Sequence, residues 1–158
     1  MNIEFKRLTE VKKSEIIELM NNHLVRRQMP LLRDEFREDD CDKFIEAKER
    51  LWAKHRYGPW AFTLNEQFAG WGGLQHEEGE ADLALVLHPN YWGIGKILYK
   101  KIIDKAFNEM GLKSIIVLLP YTRTRINGLL RLGFKKDREL KIGNEQFIRY
   151  RLKIPVKK

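Results

Sequence analysis

The sequence predicts a single α+β (α/β) domain. Its core is a mixed, mostly antiparallel central sheet of about seven strands with helices on both faces, in the order β-α-α-β-β-β-α-β-α-β-β. Three observations carry this reading. Short apolar or alternating runs at 60–64, 68–74 and 81–87 are separated by polar breaks, the pattern of an antiparallel meander. Residues 114–119 form a near-continuous apolar run, as expected of a strand covered on both faces. Between them, Ile94, Ile97, Leu98, Ile102, Ala106, Phe107 and Met110 recur at three- and four-residue steps, the period of an amphipathic helix. Only this strand–helix–strand unit, from about 83 to 119, demands a parallel pair.

Taken in order, Ile3, Phe5 and Leu8 suggest a first strand, and Ile16, Ile17, Met20 and Leu24 share one helical face. Asp39 and Asp40 stand before Phe44, Ile45, Ala47, Leu51 and Trp52. Carboxylates favour the positive end of the macrodipole, so they mark a helix start, and Gly58-Pro59 ends it. Gly70, Gly72 and Gly73 around Trp71 predict a bulge or a close backbone approach in the third strand. Pro89 closes the fourth strand, because proline donates no ladder hydrogen bond. Gly111 sits where a helix C′ glycine belongs. Pro120 stops the fifth strand, and Ile126, Leu129 and Leu130 make a short helix with Gly133 behind it. Residues 134–140 and 147–152 close the sheet. The domain is expected to span 1–154, with a short basic tail at 155–158.

Composition narrows the function classes. With 158 residues, 43% hydrophobic and 33% charged, the chain has the core formers a disordered chain lacks. Cys41 is alone, so no internal disulfide forms, and a reducing, cytoplasmic setting is expected. Residues 1–7 carry no signal-like apolar run. The longest aliphatic stretch, 115–119, is far short of the roughly 20 residues of a membrane span, so no membrane partner is expected. Lys and Arg number 30 against 22 Asp and Glu, a net charge of +8. That balance suits an anionic partner: nucleic acid, an acidic surface or a phosphate-bearing small molecule.

The segment 88–96, His-Pro-Asn-Tyr-Trp-Gly-Ile-Gly-Lys, lies between a strand and a helix start. Glycines there let backbone approach a ligand, and the free N–H groups of a first helical turn favour an anion. A Walker loop is excluded, because Asn90 and Ile97 stand where it needs glycine and Ser/Thr. A dinucleotide fingerprint is excluded by Leu98 in place of its third glycine.

The segment resembles the acyl-CoA loop of the GNAT superfamily of N-acetyltransferases, Gln/Arg-x-x-Gly-x-Gly/Ala, which follows a strand ending in proline and precedes a long helix. Residues 85–95 have that layout, and the run 128–134, closing in Gly133-Phe134, is similar to the family's later helix-to-strand signature. The resemblance covers roughly 60–152, agrees with two N-terminal helices, and is nearest in pattern to the branch of ribosomal-protein N-terminal acetyltransferases. Asn90 occupies the Gln/Arg position; with Trp92 aligned there instead, the loop is about two residues short. Leu129 stands where many members carry a tyrosine acid, and Val117 where some carry a glutamate, so no acid–base pair transfers.

The resemblance implies acetyl transfer from acetyl-CoA to a primary amine by direct attack in a ternary complex, on a GNAT-like acyl-CoA acyltransferase fold. The pantetheine arm would fill a gap between the fourth and fifth strands, paired to the backbone of Leu85, Val86 and Leu87, with the Leu87 N–H at the thioester carbonyl. Asn90, Trp92, Gly93, Ile94 and Gly95 would form the diphosphate loop. Lys96, Lys100, Arg123 and Arg125 stand near the relevant loop and helix starts for the 3′-phosphate. Glu80, Asp82, His76 and His88 compete as proton acceptors, and Tyr91 and Tyr121 as acids toward the thiolate. An α-amine of pKa about 7.8 is roughly one-seventh neutral at pH 7, a lysine only once in a few thousand. A peptide or protein α-amine, or a small-molecule amine, is therefore the expected acceptor. No metal is implied, and monomer and homodimer stay open. Two other readings stand beside this one: a non-catalytic CoA-binding sensor, and a nucleic-acid-binding module using the basic residues of 123–138. Acidic clusters at 35–40 and 77–82 interrupt any continuous basic stripe, so nucleic acid is the less favoured partner.

Overall fold

Seven strands form one sheet. They are β1 (Ile3–Lys6), β2 (Pro59–Leu64), β3 (Gln67–Glu77), β4 (Glu80–Leu87), β5 (Ser114–Pro120), β6 (Lys135–Ile142) and β7 (Glu145–Lys153), in the spatial order β1-β2-β3-β4-β5-β7-β6. Every neighbouring pair is antiparallel except β4–β5. These positions come from a computed structural model that describes residues 1–155. Residues 156–158 of the expected tail lie outside the described residues.

The helices are α1 (Lys13–Asn21), α2 (His23–Arg26), α3 (Glu38–His55), α4 (Gly95–Asp104) and α5 (Asn127–Arg131). The face expected to join Ile16, Ile17, Met20 and Leu24 is split between α1 and α2. Asn22 leaves the helical conformation, and its side chain accepts from the N–H groups of Leu24 and Val25, so a capping preference overrides the periodicity. α3 starts at Glu38, where Asp40 caps the Arg37 N–H at 2.9 Å. It ends at Arg56 in the left-handed region (φ 65) rather than at Gly58, and Pro59 opens β2. The expected long helix after the glycine loop is α4 followed by a π-turn (Lys105–Glu109), ended by Gly111 at φ 68.

Two apolar layers flank the sheet. On one face, Leu8, Ile16, Leu19, Met20, Val25, Phe36 and Cys41 pack on Ala61 and Trp71. On the other, Leu98, Ile102 and Ala106 of the α4 helix and its π-turn, with Leu129 of α5, pack on Leu83, Leu87, Ile115, Val117 and Tyr150. The close approach expected around Trp71 is real: a Cβ on Gly70 would fall 2.1 Å from the Val86 carbonyl oxygen. Trp60 and Trp71 are core, while Trp52 and Tyr57 are half-buried at its rim.

Candidate active site

The parallel pair opens almost as soon as it forms. β4 and β5 share the single register pair Asp82↔Ile116, whereas β4 pairs with β3 and β5 with β7 along their lengths. The His88 N–H donates to Ala69 O at 2.9 Å. Backbone groups alternate along a strand, so the even-numbered residues of β4 bond β3 and the odd-numbered ones face the opening. The N–H groups of Leu85 and Leu87 therefore point into a gap that no strand fills. Val86 is the exception to the expected trio. Its backbone belongs to the β3 ladder opposite Trp71, so it cannot pair with a ligand in the gap.

At the mouth of the gap, Pro89–Ile94 winds as a 3₁₀ turn directly into α4. Its donors are engaged: Asn90 N–H on His88 Nδ1 (3.2 Å), Tyr91 N–H on His88 O (2.8 Å), and Gly95 N–H on Trp92 O. The expected free donors beside Gly93 and Gly95 are thus held in short-range turn bonds, which have poorer geometry than α-helical ones. A Cβ at Gly93 would meet no atom within 4 Å, so no protein neighbour accounts for glycine there. Ile94 is a core side chain (8% exposed) and offers only its main chain. Trp92 is half exposed, yet its Nε1–H donates to Leu87 O at 2.9 Å, placing the indole over the strand end. On the α4 side, Arg123 is half-buried against Tyr99, whose phenol is pushed up by burial and drawn back by the guanidinium. Lys96 and Arg125 are exposed.

The other face carries the acid–base groups. Asp82 is the β4 member of that single β4–β5 pair, and its carboxyl is raised to about 7, chiefly by burial and then by Glu77, with Lys48 of α3 pulling it down. Lys48 is itself lowered by burial. It lies 5.2 Å from the ring centres of both Phe44 and Trp71, and donates to Gln75 Oε1. Glu80 does not join this group. It starts β4 and is bound to Arg151 at 2.7 Å, so its charge is committed to an ion pair about 23 Å along the strand from Leu87. His76 stacks on His55 (centroids 3.8 Å apart), and His88 serves the loop. Tyr121 is 62% exposed past β5. Lys48, Gln75, Tyr99 and the Trp92 bond had no local signature; each depends on contacts between distant segments. Among the described residues, no three metal-ligating side chains cluster, and no helix is long and apolar enough to cross a membrane.

A mixed sheet that parts between its two parallel strands, with a glycine-bearing helix start at the mouth, is the architecture of acyl-CoA-dependent acyltransferases. The family described as acetyltransferase (GNAT) domain matches residues 2–122, and the chain belongs to that family of N-acetyltransferases. Its fold is similar to a GNAT-family acetyltransferase from Bacillus anthracis (16% identity, TM-score 0.78, covering 97% of this chain and 95% of that one). It is also similar to the Campylobacter jejuni N-acetyltransferase PseH in complex with acetyl coenzyme A (19%, 0.67, 96% and 99%). A third neighbour is RimL, a ribosomal L7/L12 α-N-protein acetyltransferase in complex with CoA (11%, 0.77, 98% and 95%). No curated protein matches the chain significantly by sequence.

Proposed function

We propose that the protein transfers an acetyl group from acetyl-CoA to a primary amine, a peptide or protein α-amine or the amine of a small molecule, by direct attack in a ternary complex in the cytoplasm. The observation that carries the reading is the β4–β5 opening with the Leu85 and Leu87 N–H groups turned into it. An extended amide-bearing arm fits such a gap as a strand fits a ladder. Acetyl-CoA supplies the activated acyl group; everything else is done by this chain.

Position along β4 supports one division of roles. From Asp82 to Leu87 is five residues, about 16 Å, whereas Leu85 lies about 10 Å away. A carboxylate acting through one water reaches an amine poised near Leu85 but not one near Leu87. The Leu85 N–H, in place of the Leu87 N–H that the resemblance implies, then steadies the thioester carbonyl as it gains negative charge, and Leu87 holds the arm one step outward. Asp82, half ionised near neutrality, takes the amine proton. Asn90, Trp92, Gly93, Gly95 and Lys96 receive the diphosphate once the 3₁₀ turn exchanges its internal bonds for phosphate oxygens. Arg123, with Arg125 nearby, meets the 3′-phosphate. Tyr121 remains within the family of candidates for protonating the thiolate, which leaves readily without help because a thiol pKa is near 8.5.

Calorimetric titration with acetyl-CoA, followed by thiol release over an amine panel, tests the proposal. Binding with turnover supports it. Binding without turnover on any amine leaves a coenzyme sensor, and no binding removes the reading altogether.

A further inference from the structure

We propose that the acceptor is a small primary amine bearing a phosphate, and that the helix-free face of β5, β7 and β6 holds that phosphate through Lys135, Arg138, Arg149 and Arg151. This rests on the acetyl-transfer reading and names the acceptor it serves.

The helix layer over the Asp82 face stops short. Its buried apolar residues come from α1–α3, from β2 and β3 and from Leu8 and Phe36 in the connections, with Ala84 and Val86 of β4 at its rim, and none come from β5, β7 or β6. Helices pack on those three strands from the opposite face, through α4 and α5; on this face Ile116 and Phe147 are buried with no helix over them. On the open side, Ile116 faces Arg151 and Leu118 faces Arg149 across β5–β7; Arg151 faces Lys135 and Arg149 faces Arg138 across β7–β6. Residues directly opposite share a face. Asp82 also pairs with Ile116, so the row Asp82–Ile116–Arg151–Lys135 crosses four strands on one side.

Both pairs between β7 and β6 are like-charged, an arrangement that costs stability wherever the charges stand unscreened. Neutralisation is incomplete. Arg149 is bound to Asp137 at 2.5 Å, and Arg151 to Glu80 at 2.7 Å, to the same Asp137 at 3.3 Å and to Ser114 Oγ at 2.9 Å, while Lys135 and Arg138 have no ion-pair partner among the described residues. A concavity of about 380 Å³ at the Lys135 end is lined by Gly133, Lys135, Lys136, Arg151, Leu152 and Lys153, with Asp137 its one carboxylate; Arg138 and Arg149 lie outside that lining. Guanidinium groups in adjacent strands suit the several oxygens of a phosphate. The coenzyme does not account for these charges, because Lys96 and Arg123 lie on the α4 side of the sheet.

The site has a size. Asp82 and Arg151 are two strand spacings apart, about 10 Å. Across the groove, the segment between α2 and α3 reaches the β6–β7 hairpin, where Arg33 donates to Gly143 O (3.5 Å) and pairs with Glu145 (3.4 Å). An acceptor whose amine meets the water on Asp82 and whose phosphate lies at least about 10 Å away spans the floor; a polycation meets repulsion.

Two matched pairs of probes test this: 6-aminohexyl phosphate against 6-aminohexanol, and Ala-Ala-phosphoserine against Ala-Ala-Ser. They also separate a phosphorylated metabolite from a phosphorylated peptide. The expected result is a KM at least tenfold lower for the phosphorylated member of one or both pairs. The double variant Lys135→Glu/Arg138→Glu changes exposed residues only; it should raise that KM tenfold or more, and Lys43→Glu, the same reversal on α3, should not. Calorimetric binding of the phosphorylated probes reads the site without turnover. Equal KM values and no phosphate-dependent heat overturn the inference, as does a preference for spermidine. Binding of a DNA oligonucleotide that the double variant abolishes, with acceptor KM unmoved, also overturns it and makes the face a nucleic-acid surface. Thiol release absent on every amine, with probe binding intact, overturns the acetyl-transfer reading and leaves the phosphate site standing.

Discussion

Replacing Asp82 by Asn tests both the chemistry and the electrostatics of the site. The Asp82 carboxyl lies at about 7 in the fold against 3.8 for the free side chain, a shift of about 3 units or, at most, about 4 kcal/mol. Because the folded value is the higher, the fold holds the proton more tightly than the unfolded chain does. The contribution of this carboxyl to stability is therefore fully present below about pH 4 and is lost as pH rises toward 7. Asn carries no such charge. The variant should gain on the parent by about 2–3 kcal/mol between pH 5 and pH 8, on the order of 5–10 °C in melting temperature. Activity should move the other way. Loss of a general base lowers kcat/KM by about 10²–10⁴ and removes the ascending limb near pH 7. The assay is thiol release from pH 5.5 to 9 with an acceptor whose own amine pKa is below 6, so that only the enzyme titrates in that window. A variant with the parent's pH profile, or a melting difference that does not grow with pH, would refute the assignment.

Lys48→Met removes the charge that holds Asp82 down, so the ascending limb should shift to higher pH; an unmoved limb in the same assay contradicts the coupling. Gly93→Ala places a methyl where no protein atom lies within 4 Å. The melting temperature should hold or rise slightly while acetyl-CoA affinity falls at least tenfold by calorimetry, and unchanged affinity would clear the glycine of any role. Acetyl-CoA should change tryptophan fluorescence by lifting the Trp92 indole from Leu87 O; a signal that persists in Trp92→Phe comes from elsewhere.

Much of the frame was legible because it is local. The meander, the α4 periodicity, Gly111 and the glycine loop are set by residues within a few positions of one another. The errors share a cause. Asn22 divides a helix whose apolar spacing looks continuous, because a single side chain satisfies two backbone donors. Glu80 looked like a free carboxylate, because its partner Arg151 is 71 residues away. Val86 was placed with Leu85 and Leu87, because strand polarity toward one neighbour or the other is fixed only by the register with β3. Asp82 was among the candidates, but its raised pKa comes from burial and then from Glu77, against the opposing pull of Lys48, and neither charged group is adjacent to it in sequence.

The lone bridge between Asp82 and Ile116 makes the sheet two zippers that meet at one tooth. Strands β1–β4 and β5–β7–β6 are each continuous ladders, and amide exchange should find them opening as separate cooperative units. A coenzyme lying along β4 adds the missing stitches, so exchange on both sides of the seam should slow together when it binds.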